Sequence, residues 1–564
     1  MHTSESGFLA NSHQKAGKFI GLLVLVLAIS QCSNEGTAKS EQASGPKLPQ
    51  KPNILWLVAE DLSAIIPPFG DNTVATPNLT RLADEGIRYT QVYSSSGVCA
   101  PSRAAIATGM YQNRIGAQHM RTTNIADFGV EGIVPYEAVP PAYVKMHSQY
   151  FREAGYYASN NAKEDYQFRK TVTAWDDSSR SAHWRNRAEG QPFFSVFNFG
   201  ITHESQVWAQ AGNPLLVDEN LEVPIPPYLP DSEIGRKDVR QVYSNIVAMD
   251  QQVGEILNQL EEDGLLDSTI IFWYSDHGGP LPRQKRLLYD SGIHLPLIIR
   301  FPDQYRAGEI DDQLISFVDF KSTILSLAGI EPPTYVDGRA FLGEYAASTS
   351  RDYVHAAADR FDSEYDTIRA VRDKRFKYLR NFNPEKPYYL PLTYREQMPV
   401  MQELLRMRDA GQLNETQAQW FRTSKEEEEL FDTENDPYEL NNLAGDTSYA
   451  EKLAELRNEL DSWMSYIDDK GLMPEVDLIN SMWPNSVQPT TLSPIASKAE
   501  NDGAITLRSK TEGASIGYQI LNDGEELGAT WQIYQEPLAI NEGQRLLVIA
   551  HRIGFTPSAT ISIR

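Results

Sequence analysis

The fold is decided by the stretch Pro52-Asn53-Ile54-Leu55-Trp56-Leu57-Val58-Ala59-Glu60-Asp61. Its apolar part, from Ile54 to Ala59, is unbroken, which is typical of a central strand buried on both faces of a parallel sheet. Two carboxylates follow at once, at the carboxyl end of the strand, where α/β sheets place their sites. Their hard oxygen atoms suit Ca²⁺ or Mg²⁺. The alternative is a strand end that only faces solvent.

Further apolar runs alternate with helical patterns along the chain. The runs cover residues 193–199, 269–274 and 295–301, and the helical patterns cover 78–85, 102–108 and 239–260. Because strands alternate with helices, the sequence predicts an α/β fold with helices on both faces of the sheet. We place this domain at residues 51–345.

The pattern changes after this domain. Residues 369–373 and 376–379 predict an antiparallel hairpin, and residues 449–466 a long helix, so 346–484 is expected to be a smaller α+β subdomain. Within it, 384–429 reads as a helical insertion whose run Glu426–Glu429 is expected to be a solvated helix face. Short alternating segments then predict a small β-sandwich module at 485–564.

The first 50 residues have the pattern of an export signal and a tether. Lys15 and Lys18 precede an apolar run, 19–29, that is too short to span a bilayer but suits a signal peptide. Cys32 follows the run and resembles a bacterial lipoprotein site, so residues 1–32 are a signal or lipoprotein segment and 33–50 a flexible linker. Ordinary cleavage after Ser30 is the alternative. We expect an exported protein, periplasmic or on the cell surface, that contacts membrane only through a lipid on Cys32.

The composition limits the partners of the chain. Of 564 residues, 51 are Lys or Arg and 76 are Asp or Glu, which gives a net charge of −25. Such a surface repels nucleic acid and anionic membrane, so no nucleic acid partner is expected. It also repels any anionic polymer, so a protein that binds one must concentrate its Lys and Arg locally.

The chain has two cysteines, Cys32 and Cys99. If Cys32 is lipidated or removed, Cys99 has no disulfide partner. A lone cysteine is most often a small buried apolar residue, but the segment Cys99-Ala100-Pro101-Ser102-Arg103 is unusual. Pro101 suits a first helical turn, which places Cys99 at a helix N-terminus that favours an anion. Arg103 is one turn further along on the same side. These residues predict a nucleophile with an anion pocket.

The segment Cys99-Ala100-Pro101-Ser102-Arg103, followed by Ala104-Ala105-Ile106-Ala107-Thr108-Gly109, resembles the sulfatase signature C-x-P-S-R-x-x-x-x-T-G. The resemblance runs from about residue 51 to 470. It implies a formylglycine-dependent sulfatase with an alkaline-phosphatase-like fold, whose sheet is mixed but mostly parallel. It also implies that a formylglycine-generating enzyme oxidises Cys99 to formylglycine (3-oxoalanine) during export.

The same resemblance implies one Ca²⁺ held by residues at two strand ends and by residue 99. The implied ligands are Glu60, Asp61, Cys99, Asp276 and His277. Glu60 replaces the commoner Asp of the family. His277 lies where many members have Asn and others His. Because imidazole is a softer ligand than Ca²⁺ prefers, the alternative is that His277 contacts the nucleophile instead.

Four cationic or acid–base residues are implied as catalytic beside Cys99. Arg103 and the lysines Lys163 and Lys285 match residues that bind the sulfate, and His203 matches the histidine near the leaving oxygen. Asp165 occupies the place of a family histidine, so one contact to the substrate differs.

One further stretch resembles a branch with heparan N-sulfatases and marine-polysaccharide sulfatases. In Gly116-Ala117-Gln118-His119-Met120-Arg121, the residues His119 and Arg121 are then substrate contacts, and the alternative is that both are ordinary loop residues. The C-terminal module resembles the chitobiase C-terminal domain around 513–518.

The implied reaction is hydrolysis of a sulfated saccharide by the hydrated aldehyde of residue 99, with His203 protonating the leaving sugar oxygen. The nearest alternative is hydrolysis of an N-sulfoglucosamine sulfamate. A phosphohydrolase of the same superfamily would lack the full cysteine signature. An inactive carbohydrate-binding lipoprotein would have a broken nucleophile or metal set, and only Glu60 and Asp165 depart from the pattern.

Overall fold

Strand β1 (Asn53–Ala59) lies inside a nine-stranded sheet. The computed structural model describes residues 45–128, 130–499 and 503–564. The other strands of this sheet are β2 (Gly86–Tyr93), β3 (Tyr157–Asn161), β4 (Asp177–Ser178), β5 (Phe193–Phe199), β6 (Thr269–Ser275), β7 (His294–Arg300), β8 (Ile310–Asp311) and β9 (Ile315–Ser316). Their order is β4-β3-β5-β1-β6-β7-β2-β8, with β9 also paired to β2.

The sheet is mixed but mostly parallel, as predicted. Strands β4, β3, β5, β1 and β6 run parallel to one another. Only β7 is antiparallel to its neighbours β6 and β2. The carboxyl ends of five adjacent strands therefore meet at one edge of the sheet.

Both faces of β1 are buried, which explains its unbroken apolar sequence. Leu55 and Leu57 point into one hydrophobic core, and Ile54 and Trp56 into another. Helices cover both faces of the sheet, which confirms the predicted fold class. The helices of the chain are α1 (Pro77–Asp84), α2 (Cys99–Thr108), α3 (Gln112–Ile115), α4 (His147–Glu153), α5 (Ser205–Ala209), α6 (Glu233–Glu262), α7 (Asp290–Ile293), α8 (Asp319–Leu327), α9 (Pro399–Asp409), α10 (Glu415–Ala418), α11 (Ala450–Ile467) and α12 (Glu475–Met482).

A second, antiparallel sheet follows in the chain. It has the order β10 (Val354–Ala358), β11 (Ile368–Arg372), β12 (Phe376–Asn381) and β13 (Glu428–Asp432). The hairpin of β11 and β12 is the predicted one. The expectation of a solvated helix at Glu426–Glu429 was wrong, because Glu428 and Glu429 begin strand β13. Glu429 is buried and accepts a hydrogen bond from the side-chain amide of Asn381, so pairing with β12 overrides the local helix propensity.

The C-terminal segment forms two small antiparallel sheets. One consists of β14 (Ile495–Lys498) and β15 (Ile505–Arg508), and the other of β16 (Ser515–Asn522), β17 (Gln532–Ile533), β18 (Gln544–His551) and β19 (Ile561–Ile563). Both sheets contribute to one apolar cluster, as in a small sandwich. The segment is joined to α4, since Gln149 donates to Ser515 and Arg152 to the carbonyl of Trp531.

The remaining expectations about chain organisation stay predictions. The boundaries 51–345, 346–484 and 485–564 are not tested by this architecture. The signal segment 1–32, with Cys32, and most of the linker 33–50 lie outside the described residues. Among the described residues, no helix has the length and apolar character needed to cross a membrane.

Candidate active site

The carboxyl ends of four adjacent parallel strands bring the predicted residues to one place. Each group follows its strand directly or within a few residues: Glu60 and Asp61 after β1, Asp276 and His277 after β6, His203 after β5, and Lys163 after β3. Cys99 begins α2, as the sequence predicted. The edge of the sheet therefore carries ligand-type acids, cations and a helix N-terminus together.

The loop before Cys99 is tied to the segment that carries Lys285. Gly97 is required there, because a Cβ atom at this position would lie 2.5 Å from the carbonyl oxygen of Leu287. The backbone N–H of Arg286 donates to the carbonyl of Gly97 over 2.7 Å. This close approach fixes residue 99 relative to Lys285.

Cys99 belongs to a buried group of ligand-type side chains. Its Sγ lies 3.3 Å from His277 Nε2 and 3.9 Å from Asp61 Oδ1. Candidate ligand atoms of Asp61, Cys99, Asp276 and His277 all lie within 4.8 Å of one another. Two fully buried carboxylates so close together need positive charge, and their oxygen atoms are ligands that Ca²⁺ prefers. These residues fit a divalent cation, and four of the five predicted ligands are brought together.

The charges around this group shift its pKa values. Burial alone would raise the pKa of Asp61, but Lys285, His203 and His277 outweigh it and hold the pKa well below the usual value. Burial likewise raises the pKa of the Cys99 thiol, yet the cations Lys163 and Lys285 lower it to about 6. Position 99 therefore lies in a pocket that stabilises negative charge.

His277 interacts with the same acids. Its Nε2 lies 2.9 Å from Asp61 Oδ1, while Nδ1 lies 3.1 Å from the carbonyl oxygen of Gly278. A ring that donates from Nδ1 to this carbonyl has Nε2 directed at the buried group. Burial lowers its pKa, but Asp276, Asp61 and Cys99 raise it to about 10 in the metal-free protein. The geometry allows both readings of His277, as ligand and as contact of the nucleophile.

Glu60 differs from the other predicted ligands. Its carboxylate accepts from Lys163 Nζ over 2.7 Å, and it is absent from the described ligand-type groups. Asp165 lies on the far side of the same ammonium, at 3.9 Å, and is partly exposed. Lys163 is thus held between two acids at the rim of the site. A metal role for Glu60 stays a prediction.

Arg103 links the nucleophile helix to two strand ends. Its Nε pairs with Asp276 Oδ2 at 3.0 Å, and Nη1 donates to the side-chain oxygen of Asn198 over 2.7 Å. Its Nη2 has no hydrogen-bond partner among the described residues, although it is buried. Asn198, near the end of β5, was missed by the sequence analysis. Its place on a strand that ends at the site was the available signal.

Lys285 lies at the centre of a second cluster. Its Nζ is 2.6 Å from Asp61 Oδ2, 3.2 Å from Glu204 Oε1 and 3.1 Å from His203 Nε2. Asp61, His203 and Glu204 could also hold a cation by their spacing, and the ammonium of Lys285 already lies among them. The backbone N–H of Ser205 donates to His203 Nδ1, and the ammonium of Lys285, which can only donate, lies 3.1 Å from Nε2, so both ring nitrogens of His203 face donors.

Glu204 and Arg286 are site residues that the sequence analysis missed. The guanidinium of Arg286 donates two hydrogen bonds to Glu204, each of 2.8 Å. The backbone N–H of Glu204 donates to Asp61 Oδ2 over 2.7 Å. Burial raises the pKa of Glu204, but Arg286 and Lys285 outweigh it and lower the pKa. Glu204 therefore supports both Lys285 and Asp61. Its only sequence signal was its position directly after His203.

Arg121 and His119 lie on a neighbouring loop. Arg121 pairs with Asp362 at 2.6 Å, and Asp362 lies 3.8 Å from Arg286. His119 is buried, its Nδ1 accepts from the backbone N–H of Arg360, and its Nε2 has no partner among the described residues. Its described contacts do not reach the Cys99 group. The network thus extends to Arg121, while His119 lies inside the loop.

Several residues of this network adopt left-handed backbone conformations that are costly for residues other than glycine. They are Asp61 (φ 49°), Arg121 (58°), Asp165 (56°), Arg286 (79°) and Asp362 (48°). Such conformations cost of order 1–3 kcal/mol each and tend to cluster at functional sites. Their concentration here supports assigning this edge of the sheet as the functional site.

Comparisons with known proteins agree with this geometry. A family model described as Sulfatase matches residues 52–330, and one described as N-sulphoglucosamine sulphohydrolase, C-terminal, matches 283–422. An ulvan-active sulfatase of Formosa agariphila is 52% identical over 583 aligned positions, which cover 97% of each chain. Human N-sulphoglucosamine sulphohydrolase is 26% identical over 73% of this chain and 89% of that protein.

A solved structure supports the fold. It holds a protein in complex with its substrate D-glucosamine-2-N,6-O-disulfate, and it aligns with a TM-score of 0.54 at 18% identity over 75% of this chain and 99% of that chain. A nucleophile signature at a helix N-terminus, the converging acids and cations, and a half-identical relative over nearly the whole length lead to one conclusion. The chain belongs to the sulfatase family and is an enzyme that hydrolyses sulfate esters.

Proposed function

We propose that this sulfatase acts through residue 99 in its formylglycine form with one Ca²⁺ bound beside it. The observation that carries the proposal is the buried group of Asp61, Cys99, Asp276 and His277 at the N-terminus of α2. The hydrated aldehyde would supply a hydroxyl nucleophile, and Ca²⁺ would supply the positive charge that makes this hydroxyl easier to ionise. Asp61, Asp276 and His277 would hold the ion.

The side chains around this group would bind the sulfate, orient residue 99 and protonate the leaving group. Lys163 and Lys285 would bind the non-bridging sulfuryl oxygens, where negative charge grows in the transition state. Arg103, fixed by Asp276 and Asn198, would orient residue 99. His203 would protonate the leaving sugar oxygen.

We infer that the substrate is a sulfated marine polysaccharide of the ulvan type. The support is the relative that is 52% identical over 97% of its length and is named as active on ulvan. Sulfamate hydrolysis is a second candidate, because residues 283–422 match a C-terminal family model of N-sulphoglucosamine sulphohydrolase. The two candidates differ in the bond that is cut, S–O or S–N, and are separated by sulfate release from ulvan oligosaccharides and from N-sulfoglucosamine.

The test combines the mass of one peptide with activity. Co-expressed with a formylglycine-generating enzyme, the protein should show the aldehyde in place of the thiol in the peptide that contains Cys99, and should hydrolyse an aryl sulfate much faster than an aryl phosphate. Cys99→Ala is the matched inactive control. Full activity with an unmodified thiol, or a preference for the phosphate, would reject the mechanism.

Export, with a lipid on Cys32, is our proposal for localisation. It rests on the residues 15–32 alone, and Cys32 lies outside the described residues. Labelling of the wild-type protein but not of Cys32→Ala by a radioactive fatty acid would support the anchor. Equal labelling of both proteins would exclude Cys32 as the lipid site, and no labelling of either, with both recovered in the soluble fraction, would argue for ordinary signal cleavage.

A further inference from the structure

Two aromatic side chains lie beside His203 on the outer side of the site. Trp208 is on α5, which begins two residues after His203, and Tyr394 belongs to the helical insertion. The Tyr394 ring is 5.4 Å from the Trp208 ring at an interplanar angle of 77°, and 6.3 Å from the imidazole of His203. The guanidinium of Arg121 lies over the other part of this surface, 4.9 Å from the centre of the Tyr394 ring.

These two side chains differ from the aromatic residues of the core. Both are half-buried, and neither the Tyr394 hydroxyl nor Trp208 Nε1 makes a hydrogen bond to a described residue. A core residue such as Trp184 is fully buried, and this difference in burial is the one that matters, because Nε1 of the buried Trp56 and Trp273 also has no described partner. Core packing therefore accounts for part of each ring but leaves an aromatic face and a polar tip for a ligand.

The position of Tyr394 and Trp208 indicates which part of the substrate they would contact. Nε2 of His203 lies 3.1 Å from the buried Lys285, where the proposed function places the sulfate and its bridging oxygen, and the His203 ring also contacts the half-buried, more exposed ring of Tyr394. The group attached to that oxygen is the sugar ring. We propose, resting on the proposed function, that Tyr394 and Trp208 form an aromatic wall that stacks against the sugar ring from which sulfate is removed.

The aromatic wall would also allow an acidic enzyme to bind an anionic substrate without additional cations. A chain with a net charge of −25 repels a sulfated polymer, and every cation near the sulfate is paired with an acid. The C–H face of a sugar ring packs on an aromatic ring without adding charge, so this contact is insensitive to ionic strength. Arg121, which is charged and lies over Tyr394, would add a polar contact to the same ring.

The experiment measures KM and kcat for sulfate release from ulvan oligosaccharides by Tyr394→Ala and Trp208→Ala. We expect KM to rise about tenfold in each alanine variant. The ratio of the variant KM to the wild-type KM should be the same at low and high salt. In Tyr394→Phe and Trp208→Phe, KM should stay within about threefold of wild type. Tyr345→Ala, which removes an exposed tyrosine remote from the site, is the matched control. Thermal unfolding of each variant checks folding.

Each outcome decides the proposal. Wild-type KM in both alanine variants overturns the wall. An equal rise in KM in the alanine and phenylalanine variants, or the same rise in Tyr345→Ala, means that the rings act only through the fold. This result also overturns the aromatic wall. If wild-type enzyme hydrolyses p-nitrophenyl sulfate but releases no sulfate from ulvan oligosaccharides or N-sulfoglucosamine, the proposed substrate class fails, and the inference fails with it. Failure in the wild type is thus distinct from failure in the variants.

Discussion

Replacing Glu204 by glutamine should destabilise the protein far more than a change to one side-chain atom suggests. The Glu204 carboxylate is buried, receives two hydrogen bonds of 2.8 Å from Arg286 and lies 3.2 Å from Lys285 Nζ. At an effective dielectric constant of about 20, a pair of charges at about 3 Å interacts by roughly 5–6 kcal/mol. Glu204→Gln keeps the shape but leaves two buried cations with less counter-charge.

Glu204→Gln should lower the free energy of unfolding by an amount at the lower end of the roughly 3–5 kcal/mol seen when one partner of a buried ion pair is removed. The lower end is expected because glutamine still offers an acceptor to Arg286. The measurement is urea unfolding followed by tryptophan fluorescence. Glu222→Gln is the matched control: Glu222 pairs with Arg236 at 2.9 Å, but its side chain is 89% exposed, so its loss should cost about 0–1 kcal/mol.

The pH dependence gives an independent check. The pKa of Glu204 is lowered from its ordinary value of 4.5, so its stabilising effect is fully present above that value and is lost as the pH falls toward the folded-state pKa. The difference in unfolding free energy between wild type and Glu204→Gln should therefore be constant from about pH 7 to 5 and shrink below pH 4.5. Because Lys285 loses a contact, kcat/KM should also fall, by roughly ten- to a hundredfold. Equal urea midpoints for Glu204→Gln and Glu222→Gln would refute the reasoning.

Four other predictions concern residues of the same site. Asp61→Ala should lose Ca²⁺ binding measured by calorimetry, and chelated wild-type enzyme should regain activity better with Ca²⁺ than with Zn²⁺; normal affinity in Glu60→Ala would remove Glu60 from the ligand set. Lys163→Ala should slow hydrolysis of a small aryl sulfate and of the saccharide alike, by about a hundredfold, since about 3 kcal/mol of charge stabilisation is lost. Arg121→Ala should slow the saccharide reaction much more than the aryl sulfate reaction, and equal losses would place Arg121 in the sulfate pocket. Cys99→Ser should be inactive in a host without a serine-oxidising enzyme, and activity there would contradict the formylglycine proposal.

The sheet could be predicted because its strands are buried on both faces. Strand β1 (Asn53–Ala59) has an unbroken apolar run from Ile54 to Ala59, and this run coincides with the strand except at its first residue. Strand β13 could not be predicted in the same way. Glu428 and Glu429 have helix-forming side chains, and only the partner strand β12, far away in the sequence, determines that they extend.

The same distinction applies to the site. Asp61, Asp276 and His203 follow buried strands, so a sequence pattern alone places them at one edge of the sheet. Glu204 and Arg286 meet across 82 residues, and Tyr394 reaches His203 from another subdomain. No local pattern encodes these contacts, because they depend on where two loops pack against each other. Sequence therefore predicts the groups nearest the chemistry better than the groups that hold them.

The structure also changes the electrostatic picture that the composition suggested. An acidic chain with an anionic substrate was expected to concentrate its Lys and Arg locally. In the structure each of these cations is paired with an acid, Lys163 with Glu60, Lys285 with Asp61 and Arg103 with Asp276. Unpaired, these cations would be costly to bury, and the paired acids hold them in place before the substrate arrives. Sulfate must then share them with carboxylates, which weakens binding of free sulfate as well as of substrate. We therefore expect a site of this kind to release its inorganic product readily and to depend on contacts to the sugar for selectivity, which is the role proposed above for Arg121, Tyr394 and Trp208.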